Sequence, residues 1–462
     1  MVISDLMNEE KPIQLLVIAY PQDWHWALSV EYFTDQVSRN EFFHVLDLSF
    51  VGQSDLRSFL RWVMGGNRLR KTGLSIIKAC PQAKVLRRKA LLRISRAFFA
   101  SFLDIRKLHP VLTFENSSTI YNTCVEKTGN LHPVTRKNSK LVFKELFSRN
   151  STLRALETLD LSCYDRVVTV NGRFTKNAVV KSWASENLVK CRLLEFGSNR
   201  DSFQIYEVSP HSMSELEEKI NEFWDGAEEV YRKRIGFRYL TELSTDKPIT
   251  DIDWRFKMQK NLVPAKRMLK SCVFFTSTEA EYAGVGDLIP MSRYQNQVEA
   301  FRAVVEGLPV DEWEIFLRRH PANPKTKVRD AEYLLWEEFE GYSNVTVIAP
   351  ESSIDSIALG MGADLAFNYC SIIAMELVAR GAQHVFTMGP SPWQGLLPER
   401  QIQSDFSLMQ IQEKRKLRVE TDQILPWCFY SSKHGFDFQI TKYFDSDNNW
   451  RHISNGFTAA IR

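Results

Sequence analysis

None of the seven cysteines stands at Cys-x-x-Cys spacing from another, which argues against a zinc site or a dithiol motif. The seven are Cys80, Cys124, Cys163, Cys191, Cys272, Cys370 and Cys428; several of them sit in apolar runs where cysteine acts as a small hydrophobe, and a reducing compartment is expected. No apolar run approaches the roughly 18 residues of a membrane-spanning helix. The opening MVISDLMNEEKP is too polar and acidic for a signal peptide, so a cytoplasmic location is expected. There is no Walker loop, no dinucleotide fingerprint, no internal repeat and no low-complexity segment. Only Asp251-Ile252-Asp253 and, in the tail, Asp445-Ser446-Asp447 have the form of a metal-binding DxD, and neither follows a strand-like run. No metal and no other cofactor is therefore expected. No nucleic-acid-binding module is recognisable, and nucleic acid is not an expected partner.

The 462 residues exceed one ordinary core, so two domains are expected. A hydrophobic share of 44% and a charged share of 25% belong to a globular chain. The net charge of +3 conceals an asymmetry: Arg57 to Lys107 carries 14 Lys or Arg against Asp104, so this segment holds +13 and the remainder −10. Such a segment is predicted to form cationic amphipathic helices, notably over Lys84–Asp104, and to meet an anionic membrane surface or another polyanion.

Short apolar runs alternate with helix-like runs through both halves, a rhythm that predicts parallel sheets. In the first half the expected strands are Gln14–Tyr20, Phe42–Phe50, Val111–Phe114, Asp165–Val170 and Val189–Phe196. The expected helices there are Trp26–Asn40, Thr152–Leu159 and Lys176–Glu186, and Ser212–Tyr239 reads as one long charged helix. In the second half the expected strands are Ser271–Thr276, Trp313–Arg319, Val345–Ala349, Asp364–Tyr369 and His384–Thr387, with helices Gln295–Gly307, Arg329–Glu340, Ser353–Leu359 and Ser371–Ala379 between them. The fold class is α/β, two Rossmann-like domains facing across a cleft. Residues 1–210 are expected to form an N-terminal domain with a basic helical insertion at 57–108, 211–264 a helical linker, 265–400 a second Rossmann-like domain, and 401–462 a tail that packs back across the cleft.

In an open parallel sheet, ligands bind outside the carboxyl ends of the strands. His320-Pro321 ends one strand, where the imidazole can donate to a phosphate, Arg318 adds charge, and Pro321 stops the strand. Ser371 is placed to cap the next helix start, and Glu376, further along it, can accept from ribose hydroxyls. Ser277 and Thr278 follow the first strand of this half and can approach a diphosphate. In the first half, Glu115-Asn116, Asn171-Gly172-Arg173 and Glu195-Phe196-Gly197 follow three strands and open on the same side. Glu195, Glu115 and His25 are the candidate general bases, and Asn116, Asn171 and Arg173 the candidate acceptor-binding residues.

His320-Pro321, Ser371 and the order of the run from Phe274 to Glu376 resemble the GT-B glycosyltransferases of bacterial surface polysaccharide assembly, both capsule and lipopolysaccharide enzymes. The resemblance is to Kdo transferases and to sialyl- and polysialyltransferases, which carry an HP motif after a strand and a Ser motif at a helix start. Glu195-Phe196-Gly197 matches the first and last positions of a further motif, two acidic residues and a glycine, that supplies the catalytic acid or base in polysialyltransferase-like families. The resemblance implies metal-independent transfer of a sugar from a CMP-linked or other nucleotide-linked donor, bound by the 265–400 nucleotide-sugar-binding domain, to a glycan or lipid-linked glycan acceptor, bound by the 1–210 acceptor-binding domain. The enzyme would be peripheral on the inner face of the membrane through 57–108. The HP motif is shared with CDP-glycerol polymer transferases, so a CDP-polyol phosphotransferase is the alternative within enzymes. A non-catalytic membrane- or polyanion-binding partner with a degenerate nucleotide site is the alternative outside them.

Overall fold

The computed structural model describes residues 13–20, 23–49, 74–75, 77–86, 120, 123–124, 139–196, 202–207, 210, 212–244, 270–277, 292–320, 336–433 and 436–437. Glu115, Asn116, Thr278, Pro321, the expected strand Val111–Phe114, most of the expected helix Arg329–Glu340, most of the 57–108 segment and both DxD sequences lie outside the described residues.

Two sheets form. The first is built on β1 (Ile13–Ile18), β2 (Phe42–Asp47), β3 (Ala83–Val85), β4 (Tyr164–Val170) and β5 (Lys190–Phe196), all parallel to their neighbours. β6 (Ser202–Tyr206) then runs antiparallel on β5, and β12 (Phe436–Asp437), from near the end of the chain, runs antiparallel on β6. The spatial order is β12-β6-β5-β4-β1-β2-β3. Helices α1 (Asp23–Ser38), α2 (Ser139–Leu156) and α3 (Thr175–Glu186) accompany it. Strands covered on both faces read as continuous apolar runs, and Leu15, Leu16, Val17 and Ile18 of β1 are all fully buried. Alternation sends Leu16 and Ile18 to one core, with Trp26, Phe33 and Phe43, and Leu15 and Val17 to the other, with Leu156, Val180 and Trp183.

The second sheet is wholly parallel, in the order β11-β10-β7-β8-β9. Its strands are β7 (Lys270–Phe275), β8 (Trp313–Arg318), β9 (Val345–Ile348), β10 (Leu365–Asn368) and β11 (Val385–Thr387). Helices α6 (Gln297–Gly307), α7 (Ser356–Gly362) and α8 (Ile373–Ala379) connect them. Phe301 of α6 anchors one face, its ring 5.2 Å from that of Phe274, 4.7 Å from Phe339 and 6.1 Å from Trp336.

Between the sheets the chain forms α4 (Met213–Asp225) and α5 (Glu229–Ser244), where a single helix is expected from the charge pattern. The break has two causes. Gly226 closes α4 with its amide on the Glu222 carbonyl, and the Glu228 carboxylate takes the amides of Val230 (2.9 Å) and Tyr231 (2.8 Å), starting a new helix. Ile220, Tyr239 and Leu243 of this pair pack with Met375 and Val378 of α8 and with Trp427 and Cys428 of α10 (Leu425–Lys433). A short α9 (Leu408–Lys416) precedes α10. β3 also departs from expectation. Ala83–Val85 lies along the open edge of β2, with bonds from Phe43 N to Gln82 O and from Leu86 N to Val45 O, so pairing with a free edge overrides the helical pattern that begins at Lys84. Leu74, Ile77 and Cys80, just before it, belong to the first core. Among the described residues no helix is long and apolar enough to cross a membrane.

The Phe301 cluster sets the stability of the second sheet. Phe301→Ala is expected to lower the unfolding free energy of that domain by about 3–5 kcal/mol, read as a shift of its transition in urea.

Candidate functional site

In both sheets the chain lays its first three strands in one direction and then returns to place the fourth beside the first. In the second sheet this switch falls between β7 and β10, in the first between β1 and β4. In open α/β sheets the loops part at such a switch point on the carboxyl edge, and ligands bind there.

At the second switch, Phe275 of β7 is in register with Asn368 of β10 and Arg318 of β8. Thr276-Ser277, Arg319-His320 and Tyr369-Cys370-Ser371 therefore leave the sheet at one level, with His320 and Ser371 on strands flanking β7, their axes about 10 Å apart. Buried polar groups lock these ends together. Thr276 N donates to Arg318 O (3.1 Å), and Thr276 Oγ1 accepts the His320 amide (2.8 Å). Gln297, the first residue of α6, takes the Ser277 amide on Oε1 (2.9 Å) and donates from Nε2 to the Ser277 carbonyl (3.0 Å). The backbone of Ser277 is thus satisfied, while its buried hydroxyl has no hydrogen-bond partner among the described residues.

Arg318 lies under this edge, 1% exposed. Its guanidinium donates to Ser356 Oγ (3.1 Å), to the Ala349 carbonyl and to the Ser352 carbonyl (3.4 Å), and so fixes the turn between β9 and α7. Burial lowers its pKa to about 10, opposed by Asp355 and Glu351. The half-buried His320 is driven down to about 4, by burial first and then by Arg318, so it is a neutral ring at pH 7. Sequence reasoning aims Arg318 at a phosphate; the structure spends its donors on protein oxygens, and its charge reaches the edge through His320.

On the other flank, buried Asn368 donates to the Phe386 carbonyl and to Thr387 Oγ1 (both 3.1 Å) and accepts the Ser371 amide (3.0 Å). Ser371 is expected to be the helix cap. Instead Ile372 holds the cap position, and Ser371 Oγ lies 3.5 Å from the Ile373 amide, because the Asn368 bond holds Ser371 back against the strand. Glu376 is half-buried one turn on, near enough to Tyr239 of α5 to help raise that phenol's pKa after burial and Cys428. A Cβ on Gly389, beyond β11, would collide with the Tyr369 carbonyl and ring, so only glycine lets these two loops touch.

At the first switch, β4 ends in Asn171 and Gly172, both left-handed (φ 61° and 76°). The Asn171 side chain accepts the Arg173 amide (3.0 Å) and donates to a Glu195 carboxylate oxygen at the end of β5. Arg173, half-buried, stacks on Phe174 with 4.9 Å from its central carbon to the ring. Lys176, in the first turn of α3, is buried and donates to the carbonyls of Ala19 (3.1 Å) and Leu48 (3.2 Å), and so ties α3 to the ends of β1 and β2. His25 is sealed beside Tyr20, and burial, with Lys176 nearby, lowers its pKa to about 3. Tyr206 of β6 is pushed well up, by burial first, then by Tyr430 of α10 and by Glu195, so the helix from the second half reaches the Glu195 side of the first sheet. Among the described residues no three His, Cys, Asp or Glu side chains come together as a metal site.

The expected candidates Ser277, His320, Ser371, Asn171 and Glu195 stand at the two switch points, whereas Gln297, Asn368 and Lys176, whose side chains fix the backbone there, were not expected. The polar residue that closes an apolar strand, as in LAFN, is the signal that could have marked Asn368.

No family model and no curated protein matches this chain. Among solved structures it is similar to the β-Kdo 2,4-transferase KpsC of Thermosulfurimonas dismutans, at 17% identity and a TM-score of 0.39, over 59% of this chain and 80% of that one. A UDP-GlcNAc 2-epimerase of Methanocaldococcus jannaschii, in complex with UDP-GlcNAc and UDP, matches at 12% identity and 0.33, over 89% and 94%. A glycosyltransferase of Rickettsia africae matches at 10% and 0.29, over 93% and 95%. The two-domain α/β assignment rests on the sheet orders above.

The two neutral histidines set a pH dependence. The unfolded chain binds protons at an ordinary His pKa of 6.5, whereas folded His25 and His320 wait until about 3 and about 4. Their stability is complete above pH 6.5 and is lost as pH falls towards 4. His25→Gln is expected to shrink the fall in urea midpoint between pH 7 and pH 5 relative to the unmodified chain; an unchanged fall would remove His25 from the account.

Proposed function

We propose that this chain is a glycosyltransferase that moves a sugar from a nucleotide-activated donor to a glycan acceptor. The donor nucleotide sits at the second switch point and the acceptor at the first. The observation that carries this reading is the buried hydroxyl of Ser277, which has no hydrogen-bond partner among the described residues, at a strand end that the Thr276 side chain ties to the backbone of the neutral His320. An unsatisfied buried donor is costly to keep, and a phosphate oxygen satisfies it.

In the proposed step the acceptor oxygen bonds to the anomeric carbon as the bond from that carbon to the nucleotide phosphate breaks. The acceptor proton passes to Glu195. The charge left on the phosphate is taken up by hydrogen bonds from His320 and Ser277, which is electrostatic catalysis by donors already in place. Glu195 is preferred to His25 as base because His25 is sealed and, with a pKa near 3, weakly basic. Ser371 and Glu376 are proposed to meet the nucleotide from the β10 side. The sequence resemblance favours a CMP-linked donor and a lipid-linked or free surface-glycan acceptor, with transfer that needs no metal.

CMP or UDP at millimolar concentration is expected to raise the melting temperature. His320→Ala should weaken that nucleotide by about 10- to 100-fold, the loss of one hydrogen bond to a charged group. Transfer scored by mass shift on an acceptor glycan should survive EDTA. Absence of nucleotide binding, with His320→Ala silent, would sink this reading, and a mass gain of a polyol phosphate would replace sugar transfer.

The +13 segment between Arg57 and Lys107 is proposed to hold the enzyme at an anionic membrane surface. Co-sedimentation with phosphatidylserine vesicles should be strong at low salt and fall steeply by 0.5 M NaCl. Binding indifferent to salt, or none, would contradict it.

A further inference from the structure

The first switch point holds a cation with nothing to bind. Arg173 has two guanidinium nitrogens, Nε and Nη1, sealed from solvent and without a hydrogen-bond partner among the described residues. Its guanidinium carbon lies 4.9 Å from the centre of the Phe174 ring. Guanidinium donors that are buried without a partner are expensive to keep unless an anion completes them.

The position is built. Asn171 and Gly172 reverse the chain through two left-handed residues, and the Asn171 amide fixes both neighbours at once, with Arg173 N on its oxygen and the Glu195 carboxylate on its nitrogen. Phe174 supports the guanidinium plane and leaves its forked edge free. Lys176, the other cation here, has its ammonium on the Ala19 and Leu48 carbonyls, so the local positive charge available to a ligand is that of Arg173. The orphan donors, the reversed turn and the carboxylate held through the shared Asn171 are separate observations, and all lie at the carboxyl ends of β4 and β5, with Phe174 6.3 Å from the Tyr20 ring that follows β1.

We propose that Arg173 is a binding residue for an oxyanion, carboxylate or phosphate, carried by the molecule that occupies the first switch point. Resting on the transferase reading, this makes the acceptor an acidic glycan, its charged group on Arg173 and its reacting hydroxyl towards Glu195. A forked guanidinium grips a planar or tetrahedral oxyanion with two parallel bonds and sets the register of the sugar. A neutral sugar would leave the guanidinium unpaired.

The test is calorimetric binding of the full chain to tetragalacturonate, to the same oligosaccharide with its carboxylates reduced to alcohols, and to glucose 6-phosphate against glucose. Tighter binding of tetragalacturonate than of its reduced form assigns a carboxylate, and of glucose 6-phosphate than of glucose a phosphate. Arg173→Gln should weaken the preferred anionic probe by about 10- to 100-fold while leaving the neutral probes and the CMP- or UDP-induced thermal shift unchanged. Arg173→Lys should recover only part, since it restores charge without the fork. Anionic probes that bind no better than their neutral counterparts, including no binding by either, overturn the proposal, as does full affinity in Arg173→Gln. The nucleotide shift, read on the same samples, separates this failure from failure of the transferase reading.

Discussion

Side-chain hydrogen bonds across the carboxyl edge of the second sheet are the constraint on which the rest of the molecule's chemistry depends. A parallel sheet brings its strand ends to one edge but does not say how the chain leaves them. Thr276 holds the departing backbone of His320 against the end of β7, Gln297 clasps Ser277 from both sides, and Asn368 binds the end of β11 and the Ser371 amide together. These bonds form in a dry setting, where each broken bond leaves an expensive orphan, so the loops are held to one arrangement. A rigid edge of this kind can present a hydroxyl and a ring nitrogen to a ligand without first having to order them.

Burial then sets the charge state of that edge. Arg318 gives its donors to three protein acceptors and keeps its charge beneath His320, and the imidazole stays neutral as a result of desolvation and of that charge. A neutral ring donates one hydrogen bond and brings no net charge of its own. The first sheet solves the same geometric problem with different chemistry. Lys176 is consumed in tying α3 to the ends of β1 and β2, and Asn171 aligns a carboxylate with an arginine that remains uncommitted. On the proposed reading, one edge would accept an anion by hydrogen bonding and the other by a fixed cation. The chain passes from the first sheet to the second through α4 and α5 and comes back through α10 to β12, so α10, whose Tyr430 acts on the Tyr206 phenol, is seated on the helices of the second half.

Much of this architecture is legible in the sequence. The strands of the second sheet are short apolar runs between helix signals, and each is found within a residue or two of its expected ends, because burial on both faces demands continuous apolar stretches. What the pattern could not carry was pairing and capping. β3 reads as the start of a helix until the free edge of β2 claims it, and the break at Gly226 depends on the Glu228 side chain turning back on its own backbone. The site was legible at the level of which loops matter and not at the level of which atoms are free. His320, Ser277 and Arg173 all sit where strand ends predict, yet only the hydrogen-bond partners show that Arg318 is consumed by protein oxygens and that Arg173 is not.

The central claim is that the crevice beside β7 receives a nucleotide phosphate, and a crystal structure of the full chain soaked with CMP or UDP tests it most directly. The account predicts a phosphate oxygen within hydrogen-bonding reach of both the Ser277 hydroxyl and the His320 ring, with the ribose towards α8. A nucleotide seated elsewhere, or a Ser277 hydroxyl still facing only protein when the nucleotide is bound, would contradict it.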